Sequence, residues 1–265
     1  MKQTIIAFYT LAILAGCGEA NIALTGEQWK KKESHTVKGK TGVLINQKMS
    51  FGEFSTTEIK RSWTKGNSAY SGIGLGQYGS SDYLNIIGTE YINRKQTIRF
   101  SLADANGTQS DVYCVSRFQS KDLLVGDDKG ILGFGIDLLE LKNRRSSSLY
   151  YAQVYADQSG EPWQLMLDND AAQRDPKYYF GLVARNRDEY YTIVPVTKML
   201  NKKGDVMNMP FGAMGFEIRD RSGVALAAVN LADKGQVYFA RGVDAREKFL
   251  LANICMALLL QEAIG

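Results

Sequence analysis

The chain has 265 residues, of which 45 % are hydrophobic and 23 % charged. Those proportions belong to folded protein rather than disorder, and the length suits one large all-β domain with a substantial core or two small domains. The formal net charge of +4 is too small to argue for nucleic acid as a partner, and 26 glycines against 4 prolines suit many tight turns between strands.

The N-terminus reads as an address. Met1-Lys2 supplies one positive charge, Thr4 to Leu14 is short and mostly apolar, and Leu14-Ala15-Gly16-Cys17 follows. A basic start, a short apolar core and small residues before a cut mark a secretory signal rather than a membrane span. The four residues ending in Cys17 resemble the bacterial lipobox. The resemblance implies that residues 1–16 are a signal peptide cut away before Cys17, and that the thiol carries diacylglycerol, with palmitate as a further acyl chain. The residue types fit that chemistry: Ala15 and Gly16 are small enough for a peptidase site, and only a thiol can become the thioether. Each buried CH₂ of an acyl chain contributes ~0.8 kcal/mol, so two or three chains hold a protein durably. An ordinary signal peptide with a cysteine there by chance is the alternative. Residue 18 is Gly, not the Asp that retains lipoproteins at the inner membrane in enteric-type sorting, which points to the outer membrane without specifying its face.

Residues 17–40 read as the lipidated N-terminus and a tether. They hold Lys30-Lys31-Lys32, the single histidine (His35) and few large apolar residues. A solvated linker accounts for the lysine run. The functional alternative is contact with anionic headgroups, where basic residues close to the surface add about 1 kcal/mol each.

Residues 41–265 read as one domain of strands and hairpins. Thr97 to Leu102 alternates, with Ile98, Phe100 and Leu102 on one face; Asp104-Ala105-Asn106-Gly107 is a turn, and Val112 to Val115 is the return strand. Tyr150 to Ala156 pairs with Trp163 to Leu167, and Leu182 to Arg185 with Tyr190 to Val196. Phe216 to Arg219 turns at Asp220-Arg221-Ser222-Gly223 into Val224 to Val229, and Gln236 to Ala240 is the last strand. Gly133 to Leu141 fits neither a helical nor a strand period. Ten or more strands without interleaved helices predict an antiparallel barrel or sandwich and argue against a parallel nucleotide-binding sheet.

A helix closes the chain. Asp244 with Glu247 three residues on is an N-terminal capping signature, and from Phe249 to Leu260 only Asn253 is polar. That run spans about 18 Å at ~1.5 Å per residue, short of the ~20 residues a bilayer crossing needs. A helix apolar on every side must be enclosed. The predicted fold is therefore mainly β: a closed antiparallel barrel of about ten to twelve strands around a buried C-terminal helix, residues 244–263.

This order of elements resembles the C-terminus of the tubby-like superfamily, which includes the tubby domain, the phospholipid scramblases and the LURP-one-related proteins. The residues carrying the resemblance are Gly215 to Gly223, Val237-Tyr238-Phe239-Ala240, and Asp244 to Ala263. It covers about the last fifty residues and implies a barrel wrapped on its last helix. The tubby phosphoinositide-binding residues and the scramblase calcium segment match no positions here.

Catalytic chemistry finds little support. Nucleophilic triads need a histidine base, and His35 lies in the expected tether. Cys114 and Cys255 with one histidine fit no metal motif, so no metal and no cofactor is expected. Gly72, Gly74 and Gly76 lack phosphate-cradling spacing. A two-carboxylate glycosidase stays open by composition, although Asp168, Asp170 and Asp175 sit in a stretch that turn chemistry explains. Cys114 falls on the inward face of its strand, towards a helix carrying Cys255. The two form either a disulfide pinning the helix or separate buried thiols. Arg94-Lys95, Lys142-Asn143-Arg144-Arg145 and Lys202-Lys203 are basic clusters at loops; Arg144 and Arg145 join Lys30, Lys31 and Lys32 as candidates for contact with anionic lipid or an envelope polymer.

The sequence thus reads as a lipid-anchored outer-membrane protein whose barrel is a non-enzymatic binding or scaffold module. The alternatives are a carboxylate-dependent envelope hydrolase and a docking subunit of a larger envelope complex.

Overall fold

The computed structural model describes residues 21–41, 46–57, 59–62, 97–118, 149–157, 161–201, 203–209 and 212–261. Strands alternate inward and outward wherever the sequence alternates: in β6 (Thr97–Ala103) Ile98, Phe100 and Leu102 are buried and their neighbours half-exposed. The hairpin to β7 (Gln109–Phe118) is set by Asp104, whose carboxylate accepts from the backbone N–H of Asn106 and of Thr108 at 2.9 and 2.7 Å.

Further antiparallel pairs extend the sheet. β8 (Leu149–Tyr155) lies between β7 and β9 (Trp163–Asp168), and β10 (Gly181–Ala184) between β9 and β11 (Tyr190–Val196). A six-residue helix, α1 (Asn169–Arg174), follows β9 and is capped by Asp168, which accepts from Ala171 N–H at 2.9 Å. β11 pairs with β14 (Gly215–Arg219), then come β15 (Ala225–Asn230) and β16 (Gln236–Phe239). β2 (Glu33–Thr36) adds to β16 on one edge. On the other edge β6 receives β4 (Phe54–Thr56) and β5 (Lys60–Ser62), with β3 (Ser50–Phe51) beyond β4.

This twelve-strand path nearly closes into a barrel. Its two ends meet just after β2, where Lys38 and Ser50 exchange backbone hydrogen bonds of 2.8 and 3.1 Å. A separate three-stranded sheet joins β1 (Asn21–Ile22), β12 (Lys198–Leu200) and β13 (Val206–Asn208).

The C-terminal helix α2 (Ala245–Gln261) is the core of the barrel. Every residue from Phe249 to Leu260 is buried, so all sides of the helix face strands. Its one polar member is satisfied: Asn253 donates to Phe249 C=O at 2.9 Å and accepts from the Ser110 hydroxyl of β7 at 2.6 Å. The Tyr150 hydroxyl of β8 donates to Ala257 C=O at 2.7 Å, a second polar link between helix and wall. At the seam, Lys248 reaches out of the helix to Glu33 of β2 (2.7 Å) and towards Glu53 of the β3–β4 turn (3.6 Å), while lying 5.4 Å from the Phe239 ring centre. One helical cation thereby holds both edges of the sheet.

The structure corrects one boundary. Residues 21–40 are not a tether: β1, a 3-10 turn at Glu27–Trp29 and β2 form a strap along the barrel. Trp29 is buried with Ile22 against Ala225, Ala228 and Tyr238 on the outer face of β15 and β16, and its indole N–H donates to Glu217 of β14 at 2.9 Å. The sequence hides this because the two strands are too short to show a clear alternation, and Trp29 and Ile22 are among the strap's few large apolar residues. Gly133 to Leu141 lies outside the described residues.

Leu251 is fully buried among the helix's neighbours. Leu251→Asp would place a carboxylate there without a partner, at a cost of several kcal/mol against a typical total stability of about 5–15 kcal/mol. The expected outcome is cooperative loss of the whole strand signal in circular dichroism, because helix and wall share one core. Retention of the strand signal with only the helix lost would contradict this.

A candidate binding cleft at the barrel mouth

The end of the barrel where α2 enters carries a cleft of about 570 Å³. Four local structures build it: the end of β8, the β10–β11 turn, the β14–β15 turn and the first turn of α2. Each turn and the helix entry is fixed by a short-range carboxylate or amide. Asn186 accepts from the backbone N–H of Asp188 and Glu189 at 2.9 and 2.8 Å. Asp220 accepts from Ser222 N–H and Val224 N–H, both at 2.9 Å, and from the Ser222 hydroxyl at 2.7 Å. That Asx turn needs a left-handed residue, and Gly223 supplies it at φ 82°. Asp244 caps the helix by accepting from Arg246 N–H and Glu247 N–H at 2.9 and 3.0 Å. Glu247 does not complete the reciprocal box; it accepts from the Tyr191 hydroxyl at 2.9 Å.

The floor of the cleft is aromatic and cationic. Trp163 and Tyr191 pack at 5.4 Å between ring centres, and the Arg185 guanidinium lies 4.9 Å from the Trp163 ring. Arg185 also pairs with Asp157 at 2.5 Å with only 11 % of its side chain exposed, whereas Arg246 reaches the same carboxylate oxygen at 3.1 Å from an 83 % exposed position. The first pair is held by packing; the second is a surface contact and adds little. On the rim, Arg221 lies 5.4 Å from the Tyr190 ring and donates to Asp188 C=O at 2.8 Å.

Two groups titrate away from their usual range. Burial, reinforced by the hydrogen bond to Glu247 and its charge, pushes the Tyr191 hydroxyl up, so it stays a donor at all physiological pH. Burial also acts on Asp220 as its largest single influence and disfavours the carboxylate, but the hydrogen bonds from Ser222, Val224 and Gly223 together outweigh it and hold the group below its ordinary range. Six carboxylates and three arginines line the cleft. Four of those carboxylates, Asp157, Asp220, Asp244 and Glu247, hold an arginine, a turn, the helix entry or a wall hydroxyl, whereas Asp188 and Glu189 stand exposed at the rim. Asp157 binds two arginines, Asp188 faces Arg221 at 3.7 Å, Glu189 accepts from Asn186 at 2.5 Å, and Asp220, Asp244 and Glu247 hold the turns and the helix entry as described. Such an arrangement can bind a polar ligand through preset donors and acceptors.

The residues singled out by sequence lie elsewhere. Cys17, Arg144 and Arg145 are outside the described residues, as are Arg94, Lys95, Lys142, Lys202 and the Gly72–Gly76 stretch. Lys30 is exposed and pairs with Glu27 at 2.7 Å; Lys31 is exposed; Lys32 lies 5.9 Å from the Tyr238 ring. Asp168 caps α1, with Asp170 in its first turn and Asp175 at its C-terminus, and none of the three lines the cleft. His35 sits on β2, 3.4 Å from Glu33, with its ring against Gly52. Cys114 and Cys255 are both buried inside the barrel as free thiols. The sequence did name Asp220, Arg221, Asp244 and Glu247, but only as turn and cap chemistry. Their meeting in one cleft depends on barrel closure, which no local signal encodes. Among the described residues no helix is long and apolar enough to cross a membrane, and no group of three or more His, Cys, Asp and Glu is placed to hold a metal ion.

No family model, no curated protein and no solved structure matches the chain.

The thiols give a direct test of burial. Burial pushes the Cys114 thiol from 9.0 up to about 12, opposed in part by the Tyr150 hydroxyl, and raises Cys255 as well. Native protein at pH 8 should leave both unmodified by iodoacetamide, and unfolding in urea under non-reducing conditions should expose two free thiols by mass. Because both folded pKa values lie above the unfolded ones, their contribution to stability is complete below pH 9.0 and is lost as pH rises towards 12. Urea midpoints should accordingly fall along that alkaline limb, and less so in Cys114→Ala.

Proposed function

We propose that this chain is a lipid-anchored protein of the bacterial outer membrane whose barrel is a non-enzymatic binding module, with the mouth cleft as its ligand site. The observation that carries the binding reading is the cleft itself: Asp157, Asp220, Asp244 and Glu247 hold its shape, and the exposed Asp188 and Glu189 stand at its rim. Preset polar groups cost little to order when a ligand arrives, which favours binding. The sequence Leu14-Ala15-Gly16-Cys17 supports the anchor, and the run β14, β15, β16 and α2 supports kinship with the tubby-like barrels.

The cleft's residues suggest a ligand class. Carboxylates exceed arginines there, and Tyr190 and Tyr191 add rings. A molecule bearing hydroxyl, carboxylate and ammonium groups suits this mixture, through arginine contacts to its carboxylate, carboxylate acceptors for its hydroxyl and ammonium groups, and cation–π contact. Peptidoglycan fragments have that composition and occur in the same compartment.

A specific observation also favours the hydrolase alternative, namely a concave site holding several carboxylates. One experiment separates the readings. Muropeptides are titrated into the protein while tryptophan fluorescence is followed, and the mixture is then weighed by mass spectrometry. The binding reading expects saturable quenching that disappears in Trp163→Phe, with the muropeptide recovered intact. Cleaved muropeptide would establish the hydrolase instead, and unchanged fluorescence with every fragment tried would remove the cleft as a muropeptide site.

A further inference from the structure

The barrel has two distinguishable ends. Its mouth, with the cleft, is where β14 turns into β15 and where α2 begins. The opposite end carries the β15–β16 turn, and there β11 leaves the barrel at Val196, beside Gly215. The chain enters at this far end. Asn21 shares a small crevice with Asn230, Asp233 and Gln236, at and around the β15–β16 turn, and the strap then runs along the wall until Glu33, level with Phe239, reaches the mouth.

The small sheet projects from the same far end. β12 and β13 form a hairpin whose turn, Asn201 to Asp205, is fixed by Asn201 accepting from Lys203 N–H and Asp205 N–H at 2.8 and 2.9 Å. β1 runs antiparallel to β12, with Asn21 opposite Leu200 and Ile22 opposite Met199. The first residue of the strap is therefore the one nearest the hairpin tip.

This hairpin has an unusual surface. Among the described residues four large apolar side chains are exposed, and two of them, Val206 (53 %) and Met207 (49 %), are neighbours on β13. They lie opposite half-buried Leu200 and Met199, so both faces of the ribbon are apolar. β13 is also an edge, with one row of backbone groups unpaired within the sheet. An apolar edge strand open to water is an aggregation hazard unless something covers it. Exposed Lys198 and Lys203 flank the apolar residues, a pairing that suits a surface with apolar depth and anionic headgroups.

Resting on the reading that Cys17 carries the lipid, we propose that the β12–β13 hairpin is the bilayer-contacting element of the anchored protein, and that the cleft faces away from the membrane. Covalent geometry supplies the occupant. Four residue steps separate Cys17 from Asn21, and no conformation of four steps spans more than about 14 Å. The strap's first residue thus cannot stand farther than that from the acylated residue, and the hairpin tip is its neighbour. Barrel strands and α2, 17 residues or about 25 Å long, then separate the membrane from the mouth.

The test uses the full-length protein, extracted from membranes. Val206→Cys or, as the control at the mouth, Val224→Cys is labelled with the polarity-sensitive dye NBD; the native thiols are buried. Intact mass first establishes whether Cys17 is acylated, and a protein recovered without acyl chains overturns the lipoprotein reading and this proposal with it. Acylated protein is then placed in vesicles containing phosphatidylglycerol. The proposal expects the label at 206 to shift to the blue and to be quenched by nitroxide-bearing headgroups, while the label at 224 keeps its aqueous emission. Acylated protein whose label at 206 stays aqueous in those vesicles overturns the proposal but leaves the anchor standing. A label at 206 that is blue-shifted in those vesicles yet not quenched by the nitroxide headgroups would assign the edge to a second copy of the chain and overturn it as well.

Discussion

The constraint behind the whole fold is a helix with no polar side. Residues Phe249 to Leu260 leave no stripe that water could cover, so the enclosure must be complete rather than one-sided. An open sheet protects one face of a helix; only a sheet curled back on itself protects all of them. The same closure solves the sheet's own difficulty, since two free edges become one seam. Among the described residues the seam is weak in backbone terms, a single bridge between Lys38 and Ser50. Side chains reinforce it: Phe51, Phe54, Phe239 and Phe249 pack from the two edges and the helix at ring distances of 5.7 to 6.4 Å, with Lys248 above them. Hydrophobic enclosure and edge closure are thus one event.

Most of this was legible where local chemistry decides the outcome. Alternation placed Ile98, Phe100 and Leu102 inward, and turns opened by an Asp and closed by a Gly located the hairpins at Asp104 and Asp220. Asp244 located the helix start. The capping pattern succeeded for Asp244 and misled for Glu247, because Tyr191 competes for that carboxylate from 56 residues away in sequence. The strap was missed for a related reason. Trp29 finds its partner Glu217 across 188 residues, and nothing near Trp29 distinguishes it from a lone aromatic in a linker. The cleft was illegible as a site because its members are spread from Ala156 to Leu250. Each of them, taken alone, is an ordinary turn, cap or strand residue.

The cost of burying Glu217 shows how the strap is tied in. This carboxylate is 6 % exposed on the outer face of β14, an expensive place for a charge unless it is paired. It accepts from the Trp29 indole, and from Arg219 on its own strand at 2.5 and 3.0 Å. Removing the strap would therefore strip more than apolar cover; Glu217 would also lose its indole donor. The strap belongs to the folded domain by this polar anchor as much as by the area under Trp29 and Ile22.

That attachment changes what a lipid at Cys17 would mean. A flexible linker of some twenty residues would let a barrel wander by several tens of ångströms, and no face of it would be presented consistently. A strap that begins at Asn21 and is pinned to β14 removes that freedom. β14 joins the two ends directly: Gly215 lies at the end where the chain enters, and Arg219 adjoins the Asp220 turn that frames the cleft. The strand is paired on both sides, so the distance and direction from entry point to cleft are set by a rigid element rather than by a tether's statistics. The distance from the strap's first residue to the cleft is therefore a property of the folded domain, fixed before any anchor acts.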